Sequence, residues 1–452
     1  MRNVDFLRLS GDIITKEDNR YMESILSWNR AIKANPLVII YCKEDSDVIN
    51  AIKWAKEEKI EVRIRSGSHS YEGYSTGNNV AIIDISKMKD INIDEKSNIV
   101  KFGSGITNKE AYEALGEKGY TFPGGGCPTV GITGLILGGG WGYSSRYLGL
   151  ACDSLIEGEI INYKGERLII NKDTNSDLLW ALKGGGGGNF GVITSLTLRL
   201  PRKETDGTLI NLRYKDIKED KAIEVIDILQ NMYKSLDDKM NLKTAIYNSS
   251  TQGKGIKIIG LYYGCKNIAK EILKPLLEID ENLESNLEEK SLLECNRWIQ
   301  DSHPDYEKYK STGRFVYKVY TKEELEEIIK LIDNPAKGST YTAITFYGLG
   351  GKILEVDKSE TAFYYRDAKF ILGLQSVWEE DEYAEENNRW ILKAFGNIKK
   401  LTKGSFINFP LKEIENYEEE YYGENKEKIK KVKGKYDKEG FFKFPQSIKG
   451  VN

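Results

Sequence analysis

Apolar and polar positions alternate with two different periods along this chain, and the period changes character near Pro201. Val38-Ile39-Ile40-Tyr41 is a short apolar run that predicts a buried strand, and Val48, Ile52 and Ala55 then recur at helical spacing, with Asp45 or Ser46 placed to cap that helix. Glu61 to Arg65 alternates as a strand and ends at a glycine- and serine-rich loop. Strands are expected at Val80–Ile85 and Ile99–Phe102, and a helix from Asn108 to Gly119, a plausible C′ glycine. Ile156–Asn162 and Arg167–Asn171 read as a hairpin turning at Lys164-Gly165. A short helix, Ser176–Lys183, leads into five consecutive glycines, Gly184 to Gly188, and a strand, Val192–Leu200, follows.

Beyond Pro201 the glycine loops stop. Ile223, Ile226, Leu229 and Tyr233 form one stripe of a helix over Ala222–Leu236, and a second helix is expected over Asn267–Ile279. Strand-like segments at Tyr341–Tyr347 and Lys369–Leu374 complete a second α+β unit with an antiparallel sheet backed by helices. Tyr417 to Ile448 is charged and reads as helical, closing with Phe441-Phe442-Lys443-Phe444-Pro445. The expected organisation is residues 1–200, then 201–410, then a returning segment 411–452.

Composition narrows the function. With Lys+Arg 66 against Asp+Glu 69 in 452 residues, no net charge favours nucleic acid, and the basic run Lys426–Lys435 reads as a solvated helix face. Five cysteines without a Cys-x-x-Cys pair, and only two histidines, argue against a disulfide framework and a zinc site; no metal is expected. No stretch approaches the roughly 20 apolar residues of a membrane span, and no apolar run of signal-peptide length follows Met1. The expectation is a soluble, cytoplasmic protein, without nucleic-acid or membrane partners, as a monomer or weak homodimer.

Chemistry concentrates in three loops. His69 lies in Arg65-Ser66-Gly67-Ser68-His69-Ser70-Tyr71, and Cys127 in Gly124-Gly125-Gly126-Cys127-Pro128-Thr129-Val130-Gly131. Serial amide groups and hydroxyls in Ser66–Ser70 fit an anion nest for a pyrophosphate, or equally an ordinary strand-to-strand turn. Cys127, among residues without bulk, is either a thiol held against a flat ring or a small buried hydrophobe. Gly138-Gly139-Gly140-Trp141-Gly142 suggests close backbone approach to something. Gly186, Gly188 and Gly191 match G-x-G-x-x-G, but a helix precedes and a strand follows, the reverse of a dinucleotide fingerprint.

Taken in order, these pieces resemble the bicovalent flavin oxidases of the berberine-bridge-enzyme-like group, within the vanillyl-alcohol-oxidase type of flavoproteins (PCMH-type FAD-binding fold). The resemblance spans nearly the whole chain. It rests on Leu9-Ser10-Gly11-Asp12, the His69 loop, Cys127-Pro128-Thr129-Val130-Gly131, Gly138–Gly142 with Ser145-Arg146, Tyr147 to Asp153, and Gly184–Val192. The C-terminal Tyr422-Gly423-Glu424-Asn425, Tyr436-Asp437 and Phe444-Pro445-Gln446-Ser447-Ile448 complete it. It implies a two-subdomain FAD-binding domain followed by a substrate domain. It implies FAD bound covalently, by His69 through the 8α-methyl carbon and by Cys127 through C6. The cofactor would be lined by Arg65, Ser66, Gly67, Ser68, Ser70, Gly126, Thr129, Val130, Gly131, Gly134, Gly139, Gly140, Gly142, Gly188, Gly191, Val192, Asn408 and Asn425. Such enzymes take a hydride from an alcohol, a sugar or a C–H beside nitrogen, and pass electrons on, usually to O2; the cofactor carries the redox chemistry.

The departures concern the proton. Ser68 stands where glycine is usual, and Trp141 where some relatives carry tyrosine. Phe406-Ile407-Asn408-Phe409 replaces a Tyr-x-Asn-Tyr segment, and Tyr365-Arg366-Asp367-Ala368 replaces His-Arg-Asp-Ala, with Gly373 at a glutamine position. Phenylalanine cannot accept a proton, so Tyr365, Tyr347 and Asn408 become the candidate catalytic residues, with Tyr341 as a further phenol and Arg366 as a cation able to lower a phenol pKa. An oxidase, a dehydrogenase of the same build with another acceptor, and a flavin-binding protein with little turnover are the competing readings.

Overall fold

The computed structural model describes residues 5–451. Two strand-rich layers precede Pro201. The first is a four-stranded sheet of β1 (Asp12–Thr15), β2 (Val38–Tyr41), β3 (Val62–Arg65) and β4 (Ala81–Asp84), in the order β1-β2-β4-β3. β2 pairs parallel with β4, and β4 with β3. Parallel strands covered on both faces read as continuous apolar runs, and here Val38, Ile40 and Ile83 pack into one core while Ile39 and Ile82 pack into another. The helix Asp45–Glu58 covers one face with Val48, Ala51, Ile52, Trp54 and Ala55. Its N-cap is Glu44, with no side-chain cap bond; neither Asp45 nor Ser46 fills that role, and Asp47 accepts from the Lys43 amide instead.

The second layer is antiparallel: β5 (Ile91–Asp94), β6 (Ile99–Gly103), β7 (Leu155–Ile161), β8 (Arg167–Asn171) and β9 (Val192–Arg199), ordered β5-β6-β9-β7-β8. β7 and β8 form the expected hairpin, with Gly165 at φ +77° in its turn. The helix Asn108–Gly116 is held by a capping box between Thr107 and Glu110.

After Pro201 comes an eight-stranded antiparallel sheet. It contains β10 (Asp206–Lys215), β11 (Met240–Ser249), β12 (Gly253–Tyr262), β13 (Glu284–Ser291), β14 (Lys308–Val316), β15 (Ser339–Gly348), β16 (Phe370–Trp378) and β17 (Lys403–Ser405). Their order is β13-β10-β12-β11-β15-β16-β14-β17. Helices back the sheet, among them Glu219–Met232 and Lys266–Leu277. The helices Leu292–Asp301, Lys322–Ile329 and Ala384–Lys399 add to those the apolar spacing foretold. The opposite face of the sheet turns toward the glycine loops. Arg146 clamps the two halves: its buried guanidinium donates to the carbonyls of Leu236, Met240 and Leu349. No helix among the described residues is long and apolar enough to cross a membrane.

The C-terminal segment is less helical than its charge pattern suggests. Helix ends at Tyr436, and residues 437–451 contain no further helix or strand. Asp437 stops it by accepting from the amides of Phe441 and Phe442 and from Lys433. Phe442 is thereby set into the core of the first sheet, and the buried Lys433 ammonium also donates to the carbonyls of Asn189 (2.6 Å) and Phe442 (2.7 Å). This one cation ties the last segment to the glycine run. Lys433→Met should cost about 3–5 kcal/mol of stability, because Asp437 is left buried and unpaired. Denaturant unfolding checks this, and a loss below about 1 kcal/mol would mean that the cation is dispensable.

Candidate active site

The His69 and Cys127 loops meet because both carry glycine at the crossing. A Cβ built on Gly67 would lie 2.3 Å from the Gly131 nitrogen, and one on Gly131 would lie 2.5 Å from Ser66 Oγ. Ser68 has φ +59°, the left-handed region, which accounts for the glycine expected there. The Cys127 loop is moored to the start of the helix Asn108–Gly116. The Asn108 amide donates to Val130 O, Lys109 to Pro128 O, and the Asn108 side chain to Cys127 O. These are helix N-terminal donors with no partner inside the helix, used here to fix a loop.

Thr129 joins the two reactive side chains. Its hydroxyl lies 2.8 Å from His69 Nε2 and 3.8 Å from Cys127 Sγ. The imidazole stacks on Trp28, with ring centroids 5.1 Å apart. Burial, and secondarily His303, lower the His69 pKa to about 3, so the ring is neutral. Burial raises the Cys127 pKa despite hydrogen bonds from the Thr129–Val130 turn.

Both loops open onto one cavity of about 530 Å³, inside the roughly 300–1,000 Å³ range of cofactor and ligand clefts. One wall is Ser66 to Tyr71, Gly125 to Cys127, Gly131, Thr133 and Gly134; the segment 186–189 and Phe442 to Phe444 close one end. The far wall is the eight-stranded sheet, which contributes Lys243, Lys257, Tyr309, Tyr341, Tyr347 and Gln375. A chain of rings runs along the cleft. Tyr71 stacks on Phe409 at 4° and meets Tyr309 edge-on, and Tyr347 lies between Phe409 and Trp141.

The cleft suits a flat, polyphosphate-bearing cofactor. Gly134 has open space where a Cβ would project, and Trp28 Nε1, Arg63 Nε, Tyr74 Oη and Asn108 Oδ1 are buried at the cleft without a partner. Four buried polar atoms left unpaired would be costly unless a ligand met them.

The candidates divide. His69, Cys127, Ser66, Gly67, Ser68, Ser70, Gly126, Val130, Gly131, Gly134, Gly188, Tyr347 and Asn408 line the cavity. Asn408 donates to Leu135 O at 3.0 Å, anchoring its loop. Tyr365 does not reach the cleft: its hydroxyl donates to the Glu420 carbonyl at 2.7 Å, and its ring stacks on Phe315. Arg366 pairs with Asp153 at 2.6 Å, not with a phenol. Arg65 turns to the other side of its strand, onto Asp84 and the Ser24 carbonyl. Gly139, Gly140, Gly142, Gly191 and Val192 serve packing, since a Cβ on Gly142 would strike the Gly124 carbonyl and Val192 is core. Asn425 ties its segment to the carbonyls of Lys358 and Thr361.

One cleft carboxylate escaped the sequence reading. Glu307 lies just before β14, in the Ser302-His303-Pro304 to Glu307 loop, and Gln375 Nε2 donates to it at 3.3 Å. Burial raises its pKa to about 7, with Lys243 pulling the other way. The second histidine, His303, lines the same cavity and lies four residues earlier in the chain. By contrast, burial pushes the Tyr341 and Tyr347 phenols far up, so they stay protonated.

A family model described as an FAD binding domain matches residues 36–171, and one described as berberine and berberine like matches residues 405–449. An uncharacterized FAD-linked oxidoreductase of Bacillus subtilis, YgaK, is 33% identical over 447 residues, covering 98% of this chain and 97% of that protein. Among solved structures, Physcomitrella patens BBE-like 1 superposes with a TM-score of 0.89 at 24% identity, covering 98% of this chain and 97% of the other. A carbohydrate oxidase from Microdochium nivale, solved with a substrate analogue, gives 0.89 at 21% identity, with 98% of each chain covered. These two share the fold. With a cleft suited to the cofactor and a full-length relative at that identity, the chain belongs to the berberine-bridge-enzyme-like family of FAD-linked oxidoreductases and is an FAD-binding enzyme.

Proposed function

We propose that this enzyme is an oxidase whose FAD is attached twice, through His69 and Cys127, and that it oxidises an alcohol, a sugar or a biosynthetic intermediate with Glu307 as base. The observation that carries this reading is that the Thr129 hydroxyl, itself outside the cavity lining, lies within reach of both the His69 imidazole and the Cys127 thiol, which line the cleft. Two attachments to one benzenoid ring, at C6 and at the methyl carbon on C8, need two side chains that meet at that ring. A neutral imidazole is the nucleophilic form, and among the described residues nothing hydrogen-bonds Nδ1, which is left for the linkage.

Ser66, Gly67, Ser68, Gly131 and Gly134 would lie along the pyrophosphate, with Gly188 and its neighbours lining the cofactor. When bound, FAD supplies the hydride acceptor. The chain's own residues handle the proton. Neither Phe406 nor Phe409 can accept one, and Tyr341 and Tyr347, still protonated at neutral pH, act as hydrogen-bond donors that orient the substrate. Glu307 is a carboxylate with its pKa matched to neutral pH, the condition for an efficient general base. Gln375 holds it in place. The rings of Tyr71, Tyr309, Phe409 and Trp141 exclude water from the reacting centre.

The base must be ionised to work, and its pKa is about 7. Flavin reduction should therefore accelerate as pH rises through 7. Glu307→Gln should slow it by about 10²–10⁴-fold and abolish that rise; stopped-flow reduction by any substrate found in a screen of alcohols and sugars checks this, and an unchanged profile removes Glu307 from the chemistry. The attachment has its own test. After acid precipitation, His69→Ala or Cys127→Ala should each keep yellow colour in the pellet, and the double variant should release it. Colour retained by the double variant would assign the linkage to other residues. Peroxide formed in air would assign oxygen as acceptor, whereas a flavin that stays reduced in air would mark a dehydrogenase.

A further inference from the structure

The sheet wall of the cleft carries positive charge that the proposed reaction does not use. Lys243 on β11 and Lys257 on β12 both line the cavity. In the antiparallel register Lys243 faces Ile259 and Lys257 faces Ala245, so the two lysines are diagonal neighbours on one face. Arg213 on β10 stands directly opposite Lys257 on that same face, with its buried Nε unpartnered. No carboxylate forms an ion pair with Lys243, Lys257 or Arg213 among the described residues. Like charges on facing and diagonal positions of a sheet are destabilising, and half-buried cations without a carboxylate are more costly still, the Tyr347 ring 5.4 Å from Lys243 Nζ offsetting only part of this. Glu307 balances one of these charges at most. The surrounding groups register the excess: burial and then Lys257 lower the Lys243 pKa to about 8, and burial and then Lys243 lower that of His303 to about 4.

We propose that the substrate carries an anionic group, a carboxylate or a phosphate, which binds between Lys243 and Lys257 while its oxidisable carbon lies toward Cys127 and Glu307. This rests on the oxidase reading of the same cleft. The cofactor's phosphates are assigned to the Ser66 and Gly131 loops on the opposite wall, so they do not satisfy these cations. An incoming anion would form charge-assisted hydrogen bonds to both ammonium groups and relieve their mutual repulsion. It would also favour substrates long enough to span from the sheet to the two loops.

The test is calorimetric, on the FAD-loaded protein reduced under nitrogen so that no turnover occurs, at low ionic strength. The matched probes are D-glucose against D-glucuronate, D-glucose against D-glucose 6-phosphate, and 1,2-propanediol against L-lactate. The anion should bind at least about 10-fold more tightly than its neutral partner in one pair or more. Lys243→Gln/Lys257→Gln should remove that preference, leave binding of the neutral probe unchanged and keep its flavin. The double variant relieves like-charge repulsion, so its thermal unfolding should not fall; the two single variants should each show part of the loss. No preference in any pair, or a preference surviving in the double variant, overturns the proposal. Flavin lost only from the double variant also overturns it, by giving the lysines to the cofactor. A wild-type flavin that stays reduced in air would instead fail the oxidase reading, while these titrations, made without oxygen, still judge the lysine pair.

Discussion

The contact between the backbones at Gly67 and Gly131 governs this active site. Neither position has room for a single carbon, so the two loops lie against each other at main-chain distance. Only that approach lets Thr129, two residues before Gly131, reach His69, two residues after Gly67. The rest follows from it. The Cys127 loop must be fixed from behind, which the amides of Asn108 and Lys109 accomplish. The His69 loop must turn sharply, which Ser68 allows at a left-handed φ. The cleft can then open on one side of the paired loops, with the sheet as its opposite wall.

Electrostatically the cleft is mostly cationic. Both histidines are held neutral by burial, and the phenols stay protonated, so neither class supplies charge near neutral pH. What remains among the lining residues is Glu307, poised near neutrality, the sheet cations Lys243 and Lys257, and Arg63 and Lys443 on the side of the first sheet. In the reading proposed above, such a site separates two tasks: Glu307 takes a proton, and the sheet cations face whatever part of the ligand reaches them. The aromatic wall between them keeps the dielectric low, which strengthens both interactions.

Local chemistry made much of this readable in the chain. The hairpin at Lys164-Gly165 follows from strict alternation around a turn glycine, and the helices at Asp45 and Glu219 follow from apolar stripes. His69 and Cys127 stood out because glycine density marks close backbone approach. The proposed proton acceptor did not stand out. Glu307 is one of 69 acidic residues, and it reaches Gln375, which pairs with Ser311 of β14, only because the loop before β14 folds back over the sheet. Lys243 and Lys257 look like ordinary exposed strand positions until the register of β11 and β12 puts them on one face. Tyr365 misled for a related reason. The short segment that carries it lies outside any strand, and its phenol points to the Glu420 carbonyl behind the sheet. The charged C-terminal stretch looked helical throughout, but the buried Lys433–Asp437 pair turns the chain out of the helix at Tyr436.

The paired loops make a claim about covalent bonds, and the mass of the denatured wild-type protein tests it most directly. Each linkage replaces one hydrogen on the flavin and one on the side chain, the two hydrogens and their electrons passing to O2. The account predicts the mass of the chain plus one FAD less four hydrogens. The chain plus FAD less two hydrogens would mean a single bond and would contradict the pairing of His69 with Cys127. The bare mass of the chain would contradict covalent attachment altogether.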